Sequence, residues 1–375
     1  MFSNNFSGYG AISALEKVIK RYRVKRVLLV TGKSAFALSG AKNAVFPFLK
    51  ELDVRYFSDF DVNPKFEHAI AGALLAREFV PDIVVAIGGG SVIDMAKLIN
   101  TFASKPNVEV DDVISNTLRT VAAPLVAVPT TAGTGSEATH FAVVYIDGKK
   151  YSLAHPAMLP DIAVLDPELS FSMPSYLAAS SAIDALAQAI ESYWSLGSTK
   201  ESRSYASMAI MGLVSAIIPA VRDRSESAMT SLLFAANYAG RAINITKTTA
   251  PHALSYSISQ QVGLAHGHAV GTTLGHFFLL HDDAELIASL SPSVAENLNI
   301  RMNEIYSLLG CESGKACFEW WSELMGAIGL ETDLSILDPD IHDKIDLFLS
   351  SVNLERLKNH PMTLTPTLLR RVFAY

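Results

Sequence analysis

Cysteine is scarce in this chain. Among its 375 residues there are two cysteines, Cys311 and Cys317. Their spacing matches no metal-binding or redox motif. We interpret them as ordinary reduced thiols, which are typical of a cytoplasmic protein.

A surplus of basic residues and a long apolar run are also lacking. The chain has 30 Lys and Arg against 37 Asp and Glu, a formal net charge of −7, so no basic surface is available for nucleic acid or anionic lipid. The N-terminal segment has no signal-peptide pattern, and no unbroken apolar run approaches the roughly 18 residues of a membrane span. We therefore expect a small-molecule partner, with no nucleic acid and no membrane.

The chain is long enough for two domains. At about 150 residues per domain, two is the natural expectation for 375 residues. Short β-branched runs alternate with helical stretches in the first half, which predicts an α/β layer with a largely parallel sheet. These runs span 26–31, 82–87, 124–130, 141–147 and 161–166.

From about Ser172 the pattern becomes helical. Long Ala-, Leu- and Ser-rich segments with helical periodicity cover 176–196, 203–221 and 225–245. Pro174 and its flanking serines indicate a linker. We predict an α/β domain over residues 1–172 and an all-α domain over residues 173–375.

A glycine-rich loop follows the predicted strand 82–87. Glycines let the backbone approach a phosphate closely, and the start of the next helix stabilises an anion. The pattern is neither GxGxxG nor a Walker loop, so a glycine turn that merely packs helix on strand is an equal alternative. The residues concerned are Gly88, Gly89, Gly90 and Ser91, with Asp94 and Lys97 on the following helix.

A second donor-rich loop favours the phosphate interpretation. The stretch VPTTAGTGSEATHF (128–141) follows another apolar strand and interleaves hydroxyls with glycines. Its donor side chains are those of Thr130, Thr131, Thr134 and Ser136. Two such loops at adjacent strand ends predict a dinucleotide crevice.

The second half contains a candidate metal-ligand set. Asp184 and Gln188 are spaced i and i+4, so both project from one face of a helix. His252 and His266 can meet if the helix breaks near Gly263. One carboxylate and two imidazoles suit Fe(II), Zn(II) or Mn(II). Each histidine taken alone is more commonly a hydrogen-bonded core residue.

Five motifs occur in order along the chain: GGGSVIDMAK, PTTAGTGSEAT, LPDIAVLDP, AIDALAQAIESYW and HALSY…AHGHAV. In these the chain resembles the iron-containing (group III) alcohol dehydrogenase family over essentially its full length. The resemblance implies a Rossmann-like nucleotide domain and a helical domain, a fold shared with dehydroquinate synthase, with a divalent metal in the cleft between the domains. It also implies NAD(P)H-dependent interconversion of a short aldehyde and its alcohol, and a dimer or larger homo-oligomer.

The resemblance assigns individual positions. Asp184, His252 and His266 match the family's metal ligands. The positions that match the dinucleotide-lining residues are Gly89, Gly90, Ser91, Thr130, Thr134 and Lys150.

The chain departs from the family pattern at several positions. Gln188 and Tyr256 each replace a histidine that most members have, at the metal and near the nicotinamide respectively. Tyr256 can still donate a hydroxyl proton, and His268 of the HGH sequence is a candidate for the displaced proton relay. Gly32 replaces an aspartate that binds the adenosine ribose, and with Lys33 adjacent NADPH becomes acceptable.

A finer resemblance is to the phosphonoacetaldehyde reductase branch, which points to phosphonate biosynthesis. It is carried by AGRAINITKTTAPHALSY, DALAQAIES and VNLERLKNHP. A phosphonate needs cations in its pocket, and Arg241 and Lys247 precede His252. The alternatives are a general short-chain alcohol dehydrogenase, a dehydroquinate synthase-like lyase and a non-catalytic descendant.

Overall fold

The structure is a computed structural model that describes residues 5–350, 352 and 357–373. The chain divides into two compact units, Met1–Met173 and Pro174–Tyr375. Residues 353–356 of the VNLERLKNHP segment lie outside the described residues.

The first unit contains a parallel sheet. Its strands, with a separate hairpin, are β1 (Phe6–Ser7), β2 (Arg26–Thr31), β3 (Asp53–Phe57), β4 (Ile83–Gly88), β5 (Leu125–Pro129), β6 (Phe141–Ile146), β7 (Lys149–Ala154) and β8 (Ile162–Leu165). Within the described residues, six strands form the sheet in the order β1-β8-β5-β4-β2-β3, and every pairing is parallel. Strands β4 and β5 are buried along their whole length, as expected when helices cover both faces.

The strand order reverses direction beside β2. The chain runs outward from β2 to β3, then returns to place β4 on the other side of β2 and continues to β5 and β8. In parallel sheets, ligands bind outside the carboxyl ends of the strands at such a reversal. The loops after β2, β4 and β5 therefore lie at the edge where a nucleotide binds in folds of this type.

Two of the sequence expectations for strands need correction. Segment 141–147 is a strand, but it pairs antiparallel with β7 in a hairpin outside the parallel sheet. Its turn residues Asp147 and Gly148 both have positive φ, as a type I′ hairpin turn requires. Strand β3 was not predicted from the sequence, because this edge strand is largely exposed and lacks a continuous apolar run.

Helices cover both faces of the sheet in the first unit. Because side chains alternate along a strand, Leu28 and Val30 belong to one apolar cluster while Val27 and Leu29 belong to another. The helices are α1 (Ala14–Arg21), α2 (Ala35–Leu38), α3 (Ala41–Leu49), α4 (Phe66–Phe79), α5 (Gly90–Ala103) and α6 (Val110–Ile114).

The described residues of the second unit are helical, without a strand. The helices are α7 (Ser175–Trp194), α8 (Lys200–Arg222), α9 (Glu226–Thr246), α10 (Ala250–Val262), α11 (His266–His281), α12 (Ala284–Ala288), α13 (Pro292–Leu309), α14 (Gly314–Ala327), α15 (Leu334–Leu337), α16 (Ile341–Ser350) and α17 (Pro366–Arg370). Helix α7 is almost entirely buried and contacts α8, α9 and α11. The α/β and all-α architecture predicted from the sequence is confirmed.

Helix α8 is long and apolar, although Ser207 and Ser215 interrupt its apolar run. By length and composition alone it would qualify as a membrane span, with a mean hydropathy of 1.7 over its 18-residue apolar window. Of that window, 44% is buried inside the structure. The helix packs against α7 and α9, and buried core helices often have this composition.

Asp166 joins the end of β8 to the N-terminal segment. Its side chain is fully buried and accepts hydrogen bonds from the backbone N–H groups of Gly10 at 3.2 Å, Ile12 at 3.0 Å and Glu168 at 3.2 Å. We expect Asp166→Ala to lower the free energy of unfolding by roughly 2–3 kcal/mol, because buried donors lose their acceptor. Urea denaturation followed by circular dichroism measures this change.

Two matched variants test the origin of that loss. Asp166→Asn keeps one acceptor oxygen and should destabilise less than Asp166→Ala. Ser13→Ala removes only an exposed hydroxyl bond to Gly10 and should change stability by less than about 0.5 kcal/mol. An Asp166→Ala variant as stable as Ser13→Ala would contradict the anchoring role.

Candidate functional site

Helix α7 presents three polar side chains on one buried face. Asp184, Gln188 and Glu191 are spaced i, i+4 and i+7, so they lie along the same side of the helix. Their residue exposures are 4%, 5% and 0%. Polar groups this deeply buried require partners, and α10 and α11 supply them.

Three ligand atoms come together in the second unit. One ligand atom each from Asp184, His252 and His266 lies within 4.8 Å of the other two. Nε2 of His252 is 3.1 Å from Oδ1 of Asp184. The break predicted near Gly263 is confirmed, because α10 ends at Val262, Gly263 has φ +81° and α11 begins at His266.

A glycine allows α11 to approach α7 this closely. A Cβ atom built on Gly267 would lie 2.0 Å from the carbonyl oxygen of Ser180 and 2.7 Å from Cβ of Asp184. No side chain fits at that distance. Gly267 therefore brings His266 next to Asp184.

The donor set fits a divalent transition metal. A carboxylate oxygen and two imidazole nitrogens suit Fe(II), Zn(II) or Mn(II). Gln188 lies one helical turn from Asp184 on the same buried face, where its amide oxygen is a neutral donor. The structure thus brings together Asp184, His252 and His266 as the sequence predicted.

The sequence analysis missed Glu191. Its carboxylate bonds Nδ1 of His252 through Oε1, and through Oε2 it accepts hydrogen bonds from the backbone N–H and the hydroxyl of Thr249, the latter at 2.7 Å. A carboxylate behind a metal-binding histidine sets its tautomer and orientation. The signal was present, because Glu191 stands two helical turns after Asp184 on the ligand face.

The two carboxylates control the charge of His252. Burial by itself lowers its pKa, but the charge of Glu191 and the hydrogen bonds to Asp184 and Glu191 outweigh it and raise the pKa of His252 to about 10. His252 is thus held between Glu191 at Nδ1 and Asp184 at Nε2. These carboxylates supply the negative charge that a bound cation requires.

Tyr256 lies beside the ligand cluster. Its ring stacks on that of His266, with centroids 5.6 Å apart and an angle of 14° between the planes. Nδ1 of His266 lies 3.3 Å from the hydroxyl of Ser255. Tyr256 is thus brought together with a ligand residue.

His268, the candidate proton relay, contacts a tyrosine hydroxyl and a backbone carbonyl. Nδ1 lies 3.1 Å from the hydroxyl of Tyr176, and Nε2 lies 2.7 Å from the backbone carbonyl of Glu331. Both ring nitrogens are thus engaged in contacts, and burial lowers the pKa of His268. Its position in the HGH sequence is one residue past Gly267, on a different side of α11 from His266.

The predicted substrate cations occupy two different environments. The guanidinium carbon of Arg241 lies 5.8 Å from the ring centre of Tyr205 and 5.6 Å from that of Tyr238, a cation–π arrangement. Lys247 follows α9 with φ 60° and ψ −177°. That backbone region is essentially restricted to glycine and is strained for lysine.

In the first unit the two predicted loops touch each other. Gly88 pairs with Pro129 at the ends of β4 and β5. A Cβ atom on Gly90 would lie 2.8 Å from the side chain of Thr134, and one on Gly89 would lie 3.2 Å from that of Thr131. Glycine is therefore needed for the loops to meet, and it also exposes the start of α5, which favours an anion.

The contacting loops contain unused hydrogen-bonding groups. The hydroxyl oxygens of Thr130 and Thr131 are buried and have no hydrogen-bond partner among the described residues. Such groups are rare unless a ligand satisfies them. They fit the phosphate or ribose oxygens of a dinucleotide.

Asp94 and Lys97 have structural contacts. Asp94 accepts hydrogen bonds from the hydroxyl of Ser136 and from the backbone N–H of Val143 at 2.9 Å. Lys97 is fully buried and donates to the carbonyl oxygens of Ser136 at 2.7 Å and Thr139 at 2.8 Å, and burial lowers its pKa to about 8. Both residues fasten the second loop to α5, and Asp94 does so through Ser136.

The other predicted nucleotide residues are distributed around these loops. Gly32 follows β2, and a Cβ atom there would make ordinary contacts of 3.6 Å with Val92 on α5. Lys150 is a partly buried residue of β7, and Ser91 is partly buried in the first turn of α5. Nζ of Lys33 lies 3.5 Å from a carboxylate oxygen of the fully exposed Asp59, so a carboxylate stands close to the loop that lacks one at Gly32.

Two family descriptions match the chain in succession. Residues 3–167 match "Iron-containing alcohol dehydrogenase". Residues 178–356 match "Fe-containing alcohol dehydrogenase family, C-terminal". Together they span both compact units.

Individual proteins are similar over different shares of the chain. Alcohol dehydrogenase 4 of Saccharomyces cerevisiae is 32% identical over 277 residues, which cover 72% of this chain and 72% of that protein. The phosphonoacetaldehyde reductase of Streptomyces viridochromogenes is 40% identical over 217 residues, which cover 54% of this chain and 55% of that protein. The crystal structure of sulfoacetaldehyde reductase from Bifidobacterium kashiwanohense in complex with NAD+ matches with a TM-score of 0.87 at 28% identity, covering 99% of this chain and 96% of that one.

These relatives are all dehydrogenases or reductases by name, which favours neither a lyase nor a non-catalytic descendant. The ligand cluster and the donor-rich loops agree with the metal and dinucleotide that such enzymes use. The chain therefore belongs to the iron-containing alcohol dehydrogenase family, and it is an NAD(P)-dependent, metal-containing alcohol dehydrogenase or aldehyde reductase.

Proposed function

We propose that the protein reduces a short aldehyde with an anionic tail, and that this substrate is phosphonoacetaldehyde, which gives 2-hydroxyethylphosphonate. Two of the similar proteins are named for two-carbon aldehydes with an acidic group, phosphonoacetaldehyde and sulfoacetaldehyde. A role in phosphonate biosynthesis follows from the same proposal.

The strained backbone of Lys247 is the observation that carries the proposal. Its φ of 60° with ψ −177° costs about 1–3 kcal/mol, and strain of this kind clusters at ligand clamps and active sites. Lys247 stands two residues before Thr249, which shares the carboxylate of Glu191 with the ligand His252. A cation held at this point suits an anionic tail on the substrate.

Arg241 is the second proposed anchor. Its guanidinium group is held over the rings of Tyr205 and Tyr238, so its orientation is limited. A planar guanidinium can bond two phosphonate oxygens at once. Arg241 and Lys247 together would balance the charge of a phosphonate.

The metal and the coenzyme would have separate chemical roles. Asp184, His252 and His266, with Gln188 beside them, would hold the metal, which would supply Lewis acidity at the carbonyl oxygen, and the nicotinamide coenzyme would supply the hydride.

The chain's own residues position these groups and handle the proton. Glu191 keeps Nδ1 of His252 bonded, so that Nε2 faces Asp184. The hydroxyls of Thr130 and Thr131 bind the dinucleotide. Tyr256, stacked on His266, donates its hydroxyl proton to the product oxygen.

Assignments to the two units follow from this mechanism. We propose that residues 1–172 bind the dinucleotide, through Gly32, Gly88, Gly89, Gly90, Ser91, Asp94, Thr134 and Lys150 besides the two threonines. Residues 173–375 would bind the metal and the substrate. We further propose a cytoplasmic enzyme, consistent with its two free thiols, that acts as a dimer or larger homo-oligomer.

A general short-chain alcohol dehydrogenase is the second candidate. The match to alcohol dehydrogenase 4, at 32% identity over 72% of both chains, favours it. In this case an uncharged aldehyde would be reduced as well as an anionic one.

Glu191 should control metal affinity. We expect Glu191→Gln to weaken binding of Zn(II) about 10- to 100-fold, because the residue that orients a histidine ligand loses its charge. Asp184→Ala should abolish stoichiometric binding. Isothermal titration of metal-free protein measures both, and Glu304→Gln, a carboxylate bonded to Tyr193, is the control. Unchanged affinity in Glu191→Gln would contradict the role.

Lys247 should control substrate choice. We expect Lys247→Ala to lower the ratio of kcat/KM for phosphonoacetaldehyde to that for propanal about tenfold or more, since a charged hydrogen bond is lost. Oxidation of NADH and of NADPH on metal-reconstituted enzyme gives both constants. Arg241→Ala should lower the same ratio.

A charge-matched control separates local from general electrostatic effects. Lys315 on α14 is exposed and pairs weakly with Glu319, so Lys315→Ala removes the same charge elsewhere. Its substrate ratio should equal that of the unaltered enzyme. If the unaltered enzyme turns over propanal as well as phosphonoacetaldehyde, the general alcohol dehydrogenase is the better description.

Tyr256 should act as the proton donor. We expect Tyr256→Phe to lower kcat about 10²- to 10⁴-fold, the range for loss of a general acid, while the ring still stacks on His266. Tyr176→Phe, which removes a hydroxyl beside His268, is the matched control. Steady-state kinetics at saturating coenzyme give kcat for both variants. Full activity of Tyr256→Phe would exclude Tyr256 as the proton donor.

A further inference from the structure

The side chain of Asn359 spans the turn that contains Lys247. Nδ2 of Asn359 donates to the carbonyl oxygen of Thr246 at 2.7 Å and to that of Thr248 at 3.0 Å. These carbonyls belong to the two residues that flank Lys247. We propose that Asn359 is a positioning residue that holds Lys247 in its strained conformation and thereby sets selectivity for anionic aldehydes.

Asn359 is itself held rigidly. Its Oδ1 accepts hydrogen bonds from the hydroxyl of Ser195 at 3.0 Å and from the backbone N–H of Gly197 at 3.2 Å. Its backbone carbonyl accepts from the N–H of Leu196 at 2.9 Å. All these partners lie just after α7, so the amide of Asn359 joins the end of the metal-ligand helix to the Lys247 turn.

The turn is held from its other side as well. The hydroxyl of Thr246 lies 3.0 Å from that of Ser192 and 2.7 Å from the carbonyl oxygen of Lys247. Thr249 is bonded to Glu191. Residues 246–249 are therefore fastened to α7 at Glu191 and Ser192 and, through Asn359, to Ser195 just after this helix.

This arrangement explains why a strained lysine persists. A residue keeps a sparsely populated backbone conformation only where its surroundings over-determine it. The Thr246 carbonyl, in the peptide plane before Lys247, is bonded by the amide of Asn359, and the Lys247 carbonyl, in the plane after it, is bonded by the hydroxyl of Thr246. Neither plane can rotate without breaking its bond. Loss of the amide would let φ become negative, and the lysine side chain would then leave the turn in another direction.

A stability measurement tests the clamp without any substrate. Glycine adopts φ near +60° freely, whereas alanine does not, so Lys247→Gly should melt at a higher temperature than Lys247→Ala. In the Asn359→Ala background the turn can relax. There the difference in melting temperature between the glycine and alanine variants should disappear or reverse. Where no positive φ is needed, glycine loses more entropy on folding than alanine. An equal difference in melting temperature in both backgrounds would contradict the proposal that Asn359 holds Lys247 in its strained conformation.

An activity measurement tests its consequence, which rests on the proposed function. Asn359→Ala should lower the ratio of kcat/KM for phosphonoacetaldehyde to that for propanal about tenfold. In the Lys247→Ala background the same change should have no further effect, because both variants remove one interaction. Additive losses would overturn the proposal that Asn359 acts through Lys247.

Two comparisons distinguish a failure of the positioning role from a failure of the proposed function. Thr365→Ala removes the N-cap of α17, so it weakens the same C-terminal region without touching the turn and should leave the substrate ratio unchanged. An equal fall of the ratio in Thr365→Ala would overturn the positioning role. If the unaltered enzyme shows no preference for phosphonoacetaldehyde, the proposed function fails, and the melting temperatures alone decide whether the clamp exists.

Discussion

The carboxylate of Glu191 is the interaction on which the second unit depends. A fully buried carboxylate is costly unless charged or hydrogen-bonding partners surround it. Here the partners are His252, in the first turn of α10, and Thr249, just before that helix. The start of α10 must therefore lie against α7. That contact places His252 beside Asp184 and fastens the turn that contains Lys247.

Close backbone approach is the second constraint, and glycine provides it in both units. Gly267 lets α11 approach α7 until His266 reaches the ligand cluster. Gly90 lets the glycine loop meet Thr134 of the second loop. In each case a side chain would clash with the facing segment and push the two segments apart. These glycines are needed for contact between segments, rather than for flexibility.

Membership in the family accounts for the coenzyme and the metal. The positions at which the chain differs from the family pattern concern the strength of the metal ligands and the choice of substrate. The resemblance implies an imidazole in most members where this chain has Gln188, and an amide oxygen is a weaker donor than an imidazole nitrogen. The negative charge of Asp184 and Glu191 therefore becomes more important for holding a cation. Tyr256 stacks on His266 and offers a hydroxyl beside the ligands. Lys247 and Asn359 form a separate arrangement with a strained backbone at Lys247, and we propose that it acts on the substrate's tail.

Much of the fold and part of the site could be predicted from the sequence. The apolar runs predicted β2, β4, β5 and β8, because strands buried on both faces are continuously hydrophobic. The spacing of Asp184 and Gln188 predicted a shared helix face, since helical geometry is local. Gly263 marked the end of α10 for the same reason.

The tertiary structure alone decided which distant groups meet. The apolar run 141–147 predicted a strand but not its antiparallel partner, and the HGH sequence did not predict that the ring nitrogens of His268 contact Tyr176 and Glu331. Asn359 contacts Thr246 across 113 residues, and no local pattern encodes that pairing. Periodicity reports which side of an element is buried, whereas the partner of a buried polar group depends on how the helices pack.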